Sequence, residues 1–332
     1  MNPTLPPAPP PEPGDPAAPA PTPVADPGPP LFRKSGLLFF GALALLFLPG
    51  QVAQGLSLAV GLPWTELFGL LLPVYVATAG SNLRVRRYLG LRWPGLAPAL
   101  LALPLGLAGY AAAQGVALVW LRVFPPEVLD RFNAARLFHA GPVEQVVVTA
   151  SAVLLAPLCE ELAFRGYLQR TFTLRRGPAL AVAASAVLFA LLHLNPVLFP
   201  SLVVLGLVWG WVNWRTGSVW PSIIAHAVNN GLVSGLALAL PEQVGAPAAE
   251  PPPLAAALVW VVAGTTLLLA FAALLDRCAR RPPPAEDALE LRDPSDPDLA
   301  FRSRRVPPLG MLGISVALAI LSGLFWWAAR RG

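Results

Sequence analysis

Nine apolar stretches constrain this chain more than any other feature of its sequence. Most of them approach or exceed the roughly 18 residues expected of a membrane-spanning helix, although 65–81 and 198–214 are short. The sequence therefore predicts an all-α, polytopic transmembrane helical bundle of about eight or nine spans. The candidates lie at 36–60, 65–81, 95–122, 145–172, 178–195, 198–214, 219–241, 254–276 and 309–328.

Composition supports a membrane protein with one polar tail. Of the 332 residues, 55% are hydrophobic and 12% are charged, whereas a soluble domain has about 25% charged residues. These values exclude an ordinary soluble enzyme and, outside the N-terminus, a long disordered protein. Nearly half of residues 1–30 are proline, which cannot hold a helix. We expect a disordered, partly polyproline-II tail there rather than a signal peptide.

Basic residues indicate how the chain is oriented. All 23 are arginines except Lys34. With the N-terminus in the cytoplasm and the spans alternating, most of them fall in cytoplasmic segments, as the positive-inside rule requires. The sequence therefore predicts a multi-pass protein of the plasma (inner) membrane with a cytoplasmic N-terminus, and no nucleic-acid partner. The terminal pair Arg330 and Arg331 would lie on the outer side and goes against this assignment.

The most informative residues are charges within a predicted span. Glu160, Glu161 and Arg165 lie in the otherwise apolar stretch 145–172, where a charge at mid-membrane costs at least about 2.5–3.5 kcal/mol. Glu161 and Arg165 are four residues apart and can pair on one helix face. Glu160 lies about 100° around the helix and is left to face something else, which favours a general base. An alternative is that the two glutamates only hold helices together.

Histidines add a second polar feature. The chain has His139, His193 and His226, and the latter two fall within predicted spans. Phe189 shares a helix face with His193, and Asn230 shares one with His226. Taken alone, each would more often be a hydrogen-bonded core residue. Together they indicate a polar site shared between helices.

Two other features have simpler interpretations. Neither Cys159 nor Cys278 fits a disulfide framework or a zinc cluster, and Cys159 is expected to be a small buried apolar residue. A group of tryptophans is typical of an interfacial belt. They are Trp209, Trp211, Trp214 and Trp220.

Three motifs in order resemble those of the CAAX-protease and bacteriocin-processing family, also called the Abi family, which includes the type II CAAX prenyl endopeptidases. Its EExxxR, FxxxH and HxxxN patterns are similar to Glu160-Glu161-x-x-x-Arg165, Phe189-x-x-x-His193 and His226-x-x-x-Asn230. One such motif would be weak, but three on separate hydrophobic spans are specific. The resemblance covers about 145–240.

The resemblance implies an intramembrane endopeptidase of the glutamate type. Glu160, with His193, would activate a water molecule for attack on a peptide carbonyl. His226 and Asn230 would donate hydrogen bonds to the developing oxyanion, while Glu161, Arg165 and Phe189 would shape the site. This agrees with the needs of amide hydrolysis, which are a base for water and donors where negative charge appears.

The family has often been described as metallopeptidases, so zinc remains open. The chain has no HExxH motif, and only two histidines fall in spans, which favours a mechanism without a metal or other cofactor. Two further functions compete with proteolysis. One is a non-catalytic membrane scaffold or bacteriocin-immunity protein, and the other is a proton-coupled carrier, which the lack of internal repeats disfavours.

These patterns divide the chain into four regions and predict one class of substrate for the protein. The expected substrate is a membrane-associated protein or peptide, with the lipid bilayer as surroundings. The regions are a Pro-rich disordered cytoplasmic tail (1–32), N-terminal transmembrane helices (33–140), a CAAX-protease-like catalytic membrane core (141–243) and C-terminal transmembrane helices with a polar loop at 277–307 (244–332).

Overall fold

The computed structural model describes residue 41 and residues 49–79, 85–132, 141–240 and 252–279. This part of the chain is helical and contains no β-strand. Two π-helical segments, Ser151–Leu155 and Leu162–Gln169, flank α8, and a third, Thr65–Leu71, follows α2. The α-helices are α1 (Gln51–Leu56), α2 (Leu58–Trp64), α3 (Leu72–Ala79), α4 (Val85–Tyr88), α5 (Leu96–Trp120), α6 (Pro126–Arg131), α7 (Pro142–Ala150), α8 (Ala156–Glu161), α9 (Arg170–Arg176), α10 (Pro178–Leu192), α11 (Phe199–Thr216), α12 (Trp220–Ala239) and α13 (Leu254–Cys278).

Helices of membrane-spanning length are the main feature of the described residues. Helix α10 is equally apolar but shorter. The protein is therefore a helical integral membrane protein, and the described part supplies five of the eight or nine predicted spans. The five are Leu58–Tyr75, Leu96–Val123, Pro142–Leu174, Trp220–Ala239 and Leu254–Cys278.

Several predictions fall outside the described residues. They concern the tail 1–32, most of the span 36–60, His139, most of the loop 277–307 and the span 309–328. Between residues 95 and 278, each predicted span corresponds to an observed helix or helical run, with ends that agree within a few residues.

The first described spans differ from the prediction. A loop was expected between 60 and 65, but the chain breaks at Ser57, where φ is −162° and ψ is 130°. From there the helix continues through Pro63 and into the segment Thr65–Leu71. The carboxylate of Glu144 explains this start, because its Oε1 accepts hydrogen bonds from Ser57 Oγ at 3.2 Å and the backbone N–H of Leu58 at 3.1 Å. A distant carboxylate thus caps the helix.

One uninterrupted helical run, Pro142–Arg176, carries the charged motif; we call it the Glu helix. The π-helical turn before α8 has a local cause in Pro157, which lacks an N–H to bond the carbonyl four residues earlier. The helix widens to π geometry immediately before α8 and again after it. Such π turns often occur at functional sites, because they change the direction of side chains relative to a regular helix.

The Glu helix forms the centre of the largest apolar cluster. Every residue of Leu162–Gln169 is buried, because this segment packs against α10, α11 and α3. Polar side chains also join it to α11: Gln169 Nε2 donates to the carbonyl of Gly210 at 2.9 Å, and Asn213 Nδ2 donates to the carbonyl of Arg165 at 3.2 Å. The charged motif is therefore fixed inside the bundle.

Helices α5 and α13 pack through small residues. A Cβ atom on Gly264 would overlap the backbone nitrogen of Ala112, and one on Gly115 would overlap that of Val261. Only glycine permits this approach of two backbones, as in many membrane helix pairs. Apart from this contact, α13 is largely exposed, so the pair forms an outer layer next to α12.

Candidate active site

Glu160 and Glu161 are the last two residues of α8, directly before the second π-helical segment of the Glu helix. Glu161 is fully buried, whereas the side chain of Glu160 is 12% exposed. Adjacent carboxylates therefore have different surroundings, as their separation around the helix predicts.

Arg165 pairs with Glu161, as the four-residue spacing predicts. Its Nη1 lies 2.9 Å from Glu161 Oε1, and both side chains are fully buried. Nη2 donates to the carbonyl of Gly206 at 3.2 Å. The guanidinium also lies over the ring of Phe189, with 4.5 Å between Cζ and the ring centroid. These hydrogen bonds and the cation–π contact stabilise the buried charges, while Arg165 Nε and Glu161 Oε2 are buried without a hydrogen-bond partner among the described residues.

His226 lies between the two glutamates. Its Nδ1 is 3.0 Å from Glu161 Oε1, and its Nε2 is 3.7 Å from Glu160 Oε2. Because Glu161 is paired with Arg165 and accepts hydrogen bonds, Nδ1 carries the hydrogen that it donates to this carboxylate. Nε2 then faces Glu160 at a distance beyond a normal hydrogen bond. Glu161 thus orients His226 and leaves its second nitrogen available.

Aromatic rings enclose His226. Trp209 stacks on it with an interplanar angle of 21° and a centroid distance of 6.3 Å, and Phe189 meets it edge-on at 5.8 Å. The predicted interfacial belt is therefore wrong for Trp209, which is fully buried, while Trp214 is exposed. Packing against the charged site explains the difference: the indole faces α12 rather than lipid.

His193 lies at the edge of this group. It follows α10, is exposed, and its Nδ1 bonds the carbonyl of Phe189 at 2.9 Å. The Phe189 ring lies 4.8 Å from His193 and 5.8 Å from His226, so it contacts both imidazoles. The structure records no hydrogen bond between His193 and Glu160. With Nδ1 bonded to its own helix, His193 directs Nε2 away from that carbonyl.

Asn230 follows His226 by one turn of α12. Its Nδ2 donates to the carbonyl of Ala152 at 2.9 Å, and its Oδ1 accepts from Asn229 Nδ2 at 3.0 Å. One of its two N–H groups remains free for another acceptor. The bond to Ala152 connects α12 to the π-helical turn before α8, which fixes α12 beside the glutamates.

Sequence reasoning missed Glu66 at this site. It belongs to the segment Thr65–Leu71, which packs against α8, and it is 6% exposed. Its carboxyl group lies within electrostatic range of Glu160 and Cys159. Glu66 was overlooked because the span 65–81 was judged by its average hydropathy. The rule that singled out Glu160, that an intramembrane charge marks a function, would have found it.

The side chains at this site do not form an evident metal centre. Within the described residues, no three His, Cys, Asp or Glu side chains are grouped as they would be to hold a metal ion. Cys159 is buried, as expected, and lies beside the glutamates. Glu160 Oε2 is buried and has no hydrogen-bond partner among these residues. A carboxylate with free lone pairs beside an oriented histidine can accept a proton.

The fold and the site together define a class of protein. It is an integral membrane protein that has paired carboxylates and histidines between its helices. Residues 142–232 match the family model of the Rce1-like type II CAAX prenyl endopeptidases. The match confirms the resemblance that the three motifs predicted, and it covers all three of them. Comparisons with curated proteins and with solved structures gave no match.

Proposed function

We propose that this protein is an intramembrane endopeptidase in which Glu160 activates water. The observation that carries the proposal is the difference between the two glutamates. Glu161 Oε1 contacts both Arg165 and His226, whereas no hydrogen bond from a described residue reaches the carboxylate of Glu160, whose Oε2 lies 3.7 Å from His226 Nε2. A base needs such free lone pairs to accept a proton from water.

The proposed reaction is the hydrolysis of one peptide bond. Glu160 accepts a proton from water, and the water oxygen bonds to the carbonyl carbon. The C–N bond then breaks, and the proton passes from Glu160 to the departing amine nitrogen. His193, on the exposed side of Phe189, would help to hold the water through its Nε2, since its Nδ1 is bonded to its own helix.

His226 and Asn230 are the proposed oxyanion donors. His226 Nε2 is 3.7 Å from Glu160 Oε2, so a protonated Nε2 can still donate to a substrate oxygen. Asn230 has one free N–H. Such donors act strongly in a site of low dielectric constant. These proposed roles need no metal ion.

The proposed substrate is a membrane-associated protein or peptide. The site lies on helices that pack within a membrane-spanning bundle, so a substrate reaches it most directly from the bilayer. We place the protein in the plasma (inner) membrane with its N-terminus in the cytoplasm, from the distribution of its arginines.

The test compares new peptide termini in host membranes by mass spectrometry. Wild type, Glu160→Gln and Glu127→Gln are expressed to equal levels; Glu127 is exposed in α6 and serves as the matched control. We expect one set of termini in wild type and Glu127→Gln that is missing in Glu160→Gln. Identical profiles for all three, with the candidate substrates present, would instead favour a non-catalytic scaffold or immunity protein.

A further inference from the structure

Glu66 brings a third carboxyl group to the proposed active site. The helical segment that carries it, Thr65–Leu71, packs against α8. Glu66 itself is buried, with 6% of its surface exposed. The Oε2 atom of Glu66 is buried and has no hydrogen-bond partner among the described residues. The carboxyl group of Glu160 lies within electrostatic range of it. Glu66 and Glu160 therefore each bring to this site an oxygen without a hydrogen-bond partner among the described residues, as Glu161 also does through its Oε2.

The cations at the site are already engaged elsewhere. Arg165 is bonded to Glu161 and the carbonyl of Gly206, and His226 lies between Glu161 and Glu160. No described ion pair includes Glu66. One arginine and at most one imidazolium therefore face three carboxyl groups.

Among the described residues, the other elements that pack against the segment of Glu66 supply no further positive charge. Helix α8 contributes Cys159, Glu160 and Glu161. The second π-helical segment of the Glu helix contributes Arg165 and the buried Tyr167, and α3 contributes only Tyr75, which is exposed. Helix α2 contains no titratable side chain. An unpaired buried carboxylate costs several kcal/mol and is usually avoided by taking up a proton.

We propose that Glu66 is a positioning residue that holds a proton at neutral pH, so that the negative charge of the pair rests on Glu160. The inference rests on the proposed function, in which Glu160 is the base. Two neighbouring buried carboxyl groups share one proton more readily than they both ionise. The deeper one, Glu66, keeps it, and the more exposed Glu160 is free to accept a proton from water.

Ionisation of Glu66 would add a second negative charge next to the carbonyl oxygen under attack. Because that oxygen becomes negative in the transition state, the extra charge slows cleavage. Glutamine at position 66 imitates the protonated acid at every pH. In wild type, ionisation of Glu66 should lower kcat/KM at alkaline pH. In Glu66→Gln this cause of the decrease is absent.

The first experiment measures the proton directly. Infrared spectra are recorded at neutral pH on the purified full-length protein in lipid nanodiscs. The C=O stretch of a protonated carboxyl group should be present in wild type and Glu160→Gln, and the corresponding intensity should be lost in Glu66→Gln. Glu66→Leu, of similar volume, removes the same group if the glutamine variant does not fold. An unchanged band in Glu66→Gln, or loss only in Glu160→Gln, would overturn the proposal.

The second experiment compares the pH dependence of kcat/KM for wild type and Glu66→Gln, using a substrate identified from the new termini. We expect the alkaline limb to move up by about one pH unit or more, with little change in the acid limb. Coincident profiles for two folded proteins would contradict the proposal, and so would a variant as inactive as Glu160→Gln.

The two proposals can fail separately. The infrared measurement needs no substrate, so a band that depends on Glu66 in a protein without proteolysis would contradict the proposed function alone. If proteolysis depends on Glu160 but the infrared C=O band does not change when Glu66 is replaced, this inference alone would be contradicted.

Discussion

Two regions of the molecule join helices by opposite means. One is the contact between α5 and α13, and the other is the site around the Glu helix. In the first, Gly115 and Gly264 bring two backbones together, and neither helix has a charged residue before Asp276. In the second, two glutamates, an arginine and a histidine are buried against aromatic rings. Small residues are thus sufficient to pack helices in this chain. The costly buried charges are not needed for packing, which favours a chemical role for them.

The largest expected effect separates chemistry from packing at one residue. Glu160→Gln keeps the shape of the side chain and removes the base, so kcat should fall by about 10²–10⁴-fold. Folding should change little, because Glu160 Oε2 has no described hydrogen bond to lose. Turnover and thermal unfolding are measured on the same preparation. Normal turnover would remove the proposed base, and strong destabilisation would make Glu160 a packing residue instead.

The next effect tests whether the neighbouring carboxylate is structural. Glu161→Gln leaves Arg165 buried without its ionic partner, which should lower the free energy of unfolding by about 3–5 kcal/mol. The double variant Glu161→Leu with Arg165→Met removes both charges and should recover much of this loss. Unfolding in mixed detergent micelles measures both. A Glu161→Gln protein as stable as wild type but inactive would show that the two glutamates have exchanged roles.

Sequence predicted the charged pair and the helices well, for a physical reason. A charge in an apolar stretch is conspicuous, and the spacing of Glu161 and Arg165 determines which of two glutamates can pair. The span predicted at 95–122 is observed as Leu96–Trp120. These features depend on residues close together in the chain.

Features set by distant residues were not predicted. The break at Ser57 depends on Glu144, some ninety residues later, and the burial of Trp209 depends on its contact with His226. Glu66 becomes conspicuous only when its helix is placed beside α8. Hydropathy gives the length of a span but neither its depth nor its rotation about its axis.

A smaller effect tests the glycine contact. Gly264→Ala places a Cβ atom against the backbone of Ala112, and the resulting overpacking should cost about 1–3 kcal/mol. The matched control is Gly235→Ala in α12, where a Cβ atom would meet nothing within 4 Å and should stabilise the helix by up to about 1 kcal/mol. Thermal unfolding of both variants checks the sign. Equal changes would mean that α13 does not depend on close approach.

The smallest effect concerns Tyr88, which lies outside the candidate spans and contacts Thr171 near the end of one of them. Tyr88 Oη lies 2.6 Å from Thr171 Oγ1, and burial raises the pKa of Tyr88 from 10.0 to about 12. The folded protein therefore binds the phenol proton more tightly than the unfolded chain. The resulting stabilisation is complete below pH 10 and fades as the pH rises towards 12. Tyr88→Phe should cost about 0.5–1.5 kcal/mol at neutral pH and should reduce the loss of stability between pH 10 and 12.

Unfolding at several pH values measures this effect, with Tyr75→Phe as the control because Tyr75 is exposed. The control should retain the alkaline loss of stability. If Tyr88→Phe retained it as fully, the phenol would not be its source. If Tyr88→Phe cost as much as Glu161→Gln, a single neutral contact would stabilise the bundle as strongly as the buried ion pair. The contrast between charged and uncharged contacts, from which a chemical role for the charges follows, would then be lost.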